Sequence, residues 1–196
     1  GAGNNITLDN VSNNFSNAVK ITSGDNVTLV DADTIDLGAS TVSGTYAVTA
    51  KLGNITQSGN LSVTNASTFE TEAANGTILC GNPLCTSPGG TNTFSNTVKL
   101  TTTGSSAHAY IDNGTTALQI ADGTSVGGNL TLVSGNVSGI IDSGSLTVGG
   151  NLDAATDANN GVITLDGLSV SGKIKIVTNG SGGTGGNATV VNTTGL

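Results

Sequence analysis

Val27-Thr28-Leu29-Val30-Asp31-Ala32-Asp33-Thr34-Ile35-Asp36-Leu37-Gly38 holds two apolar–polar–apolar triplets, Val27-Thr28-Leu29 and Ile35-Asp36-Leu37, separated by small polar residues. Alternation with a period of two over so few residues describes a short strand with one buried face. The same triplet recurs through the chain. It appears as Ile6-Thr7-Leu8, Val19-Lys20-Ile21, Tyr46-Ala47-Val48 and Leu61-Ser62-Val63, and again as Val98-Lys99-Leu100, Leu118-Gln119-Ile120 and Leu130-Thr131-Leu132. Leu146-Thr147-Val148, Ile163-Thr164-Leu165 and Ile174-Lys175-Ile176 complete the series. Between the triplets stand Gly, Asn, Asp and Ser, including Asn75-Gly76, Asn113-Gly114, Asn160-Gly161 and Asn179-Gly180. Such residues tolerate positive φ and make tight turns.

Those turns could close antiparallel hairpins, but three features favour stacked coils instead. The strands are uniformly short, aromatic residues are only 3%, and the sequence repeats over a long period. Phe15-Ser16-Asn17-Ala18-Val19-Lys20-Ile21-Thr22 returns as Phe94-Ser95-Asn96-Thr97-Val98-Lys99-Leu100-Thr101. Ser58-Gly59-Asn60-Leu61-Ser62-Val63 returns, at a slightly larger offset, as Ser143-Gly144-Ser145-Leu146-Thr147-Val148. Matched blocks in the same order predict an all-β chain forming one β-solenoid, a parallel β-helix, over 1–196. Its duplicated unit spans about 4–79 and 80–176, with a Gly-rich loop at 179–187. A coil of about 20 residues is the low end of solenoid periods. Nine or ten coils at the strand spacing would make a rod of roughly 45 Å. Phe15 and Phe94 are then expected at equivalent inward positions, four coils apart.

Composition narrows the function. Charged residues are 9%, Gly supplies 30 positions, and Met, Trp and Arg are missing. The abundance of Val, Ile and Thr argues for order rather than disorder, and the scarcity of strong helix formers argues against helices. No apolar run approaches the roughly 18 residues of a membrane span. The net charge of −8 argues against nucleic acid as a partner, because phosphate binding needs basic clusters, and acidity keeps a weakly charged repetitive surface soluble. Gly1-Ala2-Gly3 shows neither Met nor a leader, which reads as a chain cut from a precursor or a piece of one. No cap is legible at either end, so the expectation is the middle of a longer rod or a subunit stacked on its neighbours. Cys80-Gly81-Asn82-Pro83-Leu84-Cys85 reads as a disulfide-stapled bulge between Cys80 and Cys85 in an oxidising compartment, two free thiols being the other reading.

Asp31 to Gly38, Gly53-Asn54-Ile55-Thr56-Gln57-Ser58-Gly59 and Phe94-Ser95-Asn96-Thr97-Val98 resemble filamentous-haemagglutinin-type repeats, which belong to large exoproteins secreted by two-partner systems. The resemblance covers most of residues 4 to 176. It implies a right-handed β-helix, secretion across an outer membrane, an extracellular or cell-surface location, and a role in adhesion or surface filaments.

Motifs with possible chemistry have simpler readings. Gly180-Ser181-Gly182-Gly183-Thr184-Gly185 fits a dinucleotide fingerprint, but that motif must open a helix, and Asn187-Ala188-Thr189-Val190-Val191 reads as a strand. Gly182 to Val190 nearly fits a calcium-binding nonapeptide, with Asn187 where an Asp ligand belongs. Asp31, Asp33 and Asp36 offer carboxylates for a hard cation, although such residues more often project from a turn into solvent. His108 reads as an outward strand residue. Glu70 and Glu72 are the only glutamates, which is thin for glycoside chemistry. Asn26, Asn54, Asn60, Asn113 and Asn129 begin Asn-x-Thr/Ser triplets that this strand pattern produces anyway. Thr rows suited to ice do not form a uniform array. The expectation is a structural extracellular filament or adhesin stalk without catalytic activity or cofactor, associating end to end or continuing a longer solenoid. A module recognising surface glycans through the Cys80–Cys85 or Gly180–Gly186 loops is the alternative, and a carbohydrate-active enzyme the third reading.

Overall fold

The computed structural model describes residues 3–80 and 88–194, the side chain of Cys80 excepted. The expected Cys80–Cys85 pairing lies outside the described residues. Among them there are strands, turns and no helix. The chain winds as a β-solenoid of about 8 turns of roughly 22 residues.

Three parallel sheets form its faces. The large sheet contains β1 (Ile6–Leu8), β2 (Val27–Asp31), β5 (Tyr46–Ala50), β8 (Ser67–Ala74), β11 (Val98–Thr103) and β13 (Leu118–Ile120). It continues with β14 (Thr124–Val126), β16 (Ile140–Asp142), β17 (Leu146–Val148), β19 (Ile163–Val170) and β21 (Ala188–Asn192). The seven-stranded sheet runs through β3 (Ile35–Leu37), β6 (Ile55–Gln57), β9 (Ile78–Cys80), β12 (Ala109–Asp112), β15 (Leu130–Ser134), β18 (Leu152–Thr156) and β20 (Ile174–Thr178). The small sheet is β4 (Ser40–Val42), β7 (Leu61–Val63) and β10 (Thr93–Phe94).

Most strands pair in register with the strand one coil on, with shifts between β6 and β9, β8 and β11, and β19 and β21, so inward residues align into rows. Leu29, Val48, Phe69 and Leu100 form one such row. Ile35, Ile55, Ile78, Ala109, Leu130 and Leu152 form another, none more than 1% exposed. Burying a side chain of this size contributes about 1.5–3 kcal/mol. A single coil cannot enclose these residues, so the rows give the stacked coils their cohesion. Tyr46, Phe69 and Phe94 add an edge-on aromatic column, with ring centroids 5.9 and 5.8 Å apart.

The coils are longer and fewer than the expected 20 residues and nine or ten turns. Most of the excess sits in one coil: the row at Ser67 is not regained until Val98. At about 4.8 Å per layer, eight turns span roughly 38 Å.

That long coil is also a seam. Below it, the longer strands β2 and β5 lie in the large sheet, and their last inward residues are Asp31 and Ala50. Above it, the five-residue strands β15 and β18 lie in the seven-stranded sheet and end inward at Ser134 and Thr156. The large sheet there first runs as three-residue strands two to a coil, β13 with β14 and β16 with β17, before the eight-residue β19 spans both positions. β11 carries both, since Val98 pairs with Ile120 and Thr101 with Ser125. The strand pattern has therefore moved round by one face.

The two Phe-containing blocks accordingly take different places, contrary to the expected equivalence. Phe94 stacks beside Val63 in the small sheet and is fully buried. Phe15 is half-buried at the corner leading to Val19, which bridges to Leu37 of the seven-stranded sheet. Close approach governs the turns: Gly139 has φ 62, and a Cβ there would meet the Val162 carbonyl oxygen at 1.7 Å.

Candidate functional site

A groove of about 320 Å³ opens over the small sheet. Its floor is an outward row in which Thr41 pairs with Ser62 and Ser62 with Thr93, and Thr22, Lys20 and Asn60 also line it. The row exists because each small-sheet strand alternates buried–exposed–buried, which turns its central hydroxyl out. Beneath it, Ser40 is buried: its Oγ accepts the Ile21 N–H at 2.9 Å and donates to the Gly38 carbonyl at 2.8 Å. Among the described residues, Lys20 is the only charged one lining the groove. The lining therefore offers hydroxyls, an amide and one ammonium to a polar ligand, without a nucleophile–base pair. Sequence reasoning singled out Ser62 only as a triplet centre, because a triplet read alone does not say which outward residues meet across coils.

The acidic residues do not gather. Asp31 is fully buried, contrary to its expected projection into solvent. Its Oδ2 accepts the Phe15 N–H and its Oδ1 the Asp33 N–H, each at 2.8 Å. Those two donors compensate the carboxylate for lost water. Asp36 faces outward from β3 and accepts the Ser58 hydroxyl at 2.6 Å. Glu72 pairs with Lys51, while Glu70 stands between Thr49 and Thr101 in an outward row of the large sheet. Among the described residues no three His, Cys, Asp or Glu side chains are grouped to hold a metal ion. Two hydrogen bonds from Ser145, first its backbone N–H and then its hydroxyl, hold the exposed Asp122 carboxyl below the usual carboxylate range. Burial, with the nearby Asp112 carboxylate as the second cause, pushes the Tyr110 phenol up.

His108 is not a strand residue. It sits just before β12, and its Nδ1 accepts the Asn129 N–H at 2.8 Å. It thereby begins a turn ladder in which Asn129 Oδ1 caps Asn151 N–H and Asn151 Oδ1 caps Lys173 N–H. The Asn-x-Thr/Ser triplets have related roles: Asn26, Asn54 and Asn60 accept backbone N–H groups of Thr45, Thr77 and Thr91 through Oδ1. Asn113 is fully buried and hydrogen-bonded on both sides of its amide, so its side chain is out of reach of modification. The stretch Gly180 to Gly185 leads into the strand β21 and not into the helix N-terminus that the dinucleotide fingerprint requires.

Among known proteins, a family described as repeats of unknown function (DUF5649) matches residues 24–101. The matched span runs from just before β2 into β11 and so takes in the long coil of the seam. Neither a curated protein nor a solved structure matches the chain.

Proposed function

We propose that this chain is a length of an extracellular bacterial surface rod, a filament or adhesin stalk whose extent and durability are its function. The observation that carries the reading is the repeat itself: inward rows such as Ile35, Ile55, Ile78, Ala109, Leu130 and Leu152 stack coil on coil along the rod, an architecture whose cohesion comes from each coil's contact with its neighbours. The resemblance to filamentous-haemagglutinin-type repeats supports the surface location. Electron microscopy with fibre diffraction tests the reading. Long rods with a meridional spacing of about 4.8 Å are expected, and compact particles at every concentration would overturn it.

The groove favours a second reading, a stalk that also holds a glycan along the small sheet. A Ser62→Glu change would place a charge on the groove floor. Retention on neutral polysaccharides that survives this change would sink the reading.

A further inference from the structure

We propose that three buried amides, Gln57, Asn92 and Asn113, fix the register of the seam and end the small sheet there. Apolar rows alone specify a parallel stack weakly. A strand displaced by two residues still turns the same kind of side chain inward. Leu118-Gln119-Ile120 and Thr124-Ser125-Val126 both read buried–outward–buried, and both lie over β11. A buried amide is more selective, because each orphaned donor or acceptor costs the full desolvation of that group.

The three amides occupy successive coils at the corner where the small sheet stops. Gln57 is 5% exposed, Asn92 2% and Asn113 0%. Gln57 Nε2 donates to Asn92 Oδ1 at 2.6 Å, and Asn92 Nδ2 returns a bond to Gln57 Oε1 at 3.3 Å. The same Asn92 oxygen accepts the Leu61 N–H at 3.0 Å, tying the pair to β7. The Asn92 backbone N–H donates to the Asp112 carbonyl at 2.8 Å, which joins this coil to the one carrying Asn113.

Asn113 then acts as a side-chain substitute for a strand. Its Oδ1 accepts the Phe94 N–H at 2.7 Å, and its Nδ2 donates to the Phe94 carbonyl at 3.1 Å. Those two backbone groups would otherwise bond a fourth strand of the small sheet. Nδ2 also reaches the Ala117 carbonyl at 2.9 Å, which starts the chain toward β13. The sheet ends because its last edge is already satisfied, and the next coil begins one face round. A polar side chain selecting one register among apolar alternatives has a counterpart in the buried asparagines of coiled coils.

The test uses Thr101→Cys with Ser125→Cys, which are partners in the native register and face outward. Adjacent parallel strands bring such a pair within disulfide range. Oxidation products are mapped by peptide mass spectrometry, which separates this pair from Cys80 and Cys85. Adding Asn113→Leu is expected to leave the β circular dichroism signal in place and to lower the yield of the engineered disulfide several-fold. A control, Ile111→Val on the preceding strand, is expected to keep the yield. Should Asn113→Leu not fold, the Gln57→Leu/Asn92→Leu double variant is read in the same way. Full yield in whichever of these folds would overturn the proposal.

Discussion

The Asn129 side chain caps the backbone of Asn151, one coil further along the rod, with Oδ1 to N–H at 2.8 Å. Asn151 repeats the gesture to Lys173, and His108 makes it to Asn129 through Nδ1. The turn therefore carries its own ladder beside the strand ladder. Removing an acceptor here leaves an N–H that water can reach, so the loss is modest. Asn151→Ala is expected to lower stability by about 1 kcal/mol, and Asn151→Asp, which keeps an acceptor, by less. His108→Asn, which restores the residue used higher in the ladder, should behave like wild type in the same urea titration.

Tyr46 is the converse case. Its ring is fully buried against Phe69, yet its hydroxyl makes no hydrogen bond, and neither does the Ser67 hydroxyl beside it in register. Ser40 is near enough to draw the phenol's acidity back slightly, but burial dominates and pushes the phenol well above its usual range. The Ser40 hydroxyl itself donates to the Gly38 carbonyl and accepts the Ile21 N–H. Tyr46→Phe is expected to raise stability by about 1 kcal/mol in denaturant unfolding, because an orphaned buried polar group is removed. Ser67→Ala should act in the same direction.

Asp31 is expected to respond in the opposite way. Asn at this position keeps one acceptor and turns a donor toward a backbone N–H. Asp31→Asn is therefore expected to cost about 1–3 kcal/mol, and Asp31→Ala at least as much, since both N–H groups lose their partner. Thermal unfolding of the two variants beside wild type measures this. An unchanged melting temperature in both would mean the carboxylate contributes nothing to the corner it occupies.

For Asp122 the observable is ionisation. The hydrogen bonds from Ser145 favour the charged carboxylate, so the folded pKa lies below the unfolded value of about 3.9. The contribution is fully present above that unfolded value and is lost as pH falls through the lowered folded one. In Ser145→Ala the backbone bond remains while the hydroxyl bond goes. The Asp122 carboxyl should then titrate at higher pH by NMR, part of the way back to an ordinary aspartate.

Strand existence was legible because it is local. Ile35-Asp36-Leu37, Leu130-Thr131-Leu132 and Leu146-Thr147-Val148 each state their own inward and outward residues, and each is a strand of the solenoid. The face on which a strand lies is not local. It depends on the accumulated length of every preceding coil, and the long coil between Ser67 and Val98 shifts the sequence spacing of every later strand while β11 still pairs with β8. Phe15 and Phe94 consequently share a sequence motif without sharing a sheet. Asp31 misled for another reason: a charged residue reads as outward unless its donors are known, and one of them, Phe15, comes from the coil below. The groove was equally hidden, since Thr41, Ser62 and Thr93 meet only across coils.

The displacement at the seam has an outcome for any flat or fibrous partner. Up to β10 the hydroxyl stripe of Thr41, Ser62 and Thr93 looks out from the small sheet. From β11 onward a like stripe, Thr101, Ser125, Thr147 and Ser169, looks out from the large sheet. The rod thus has no single front: its like textures point to different quarters, and a bundle or a layer can find the same texture on more than one side of it.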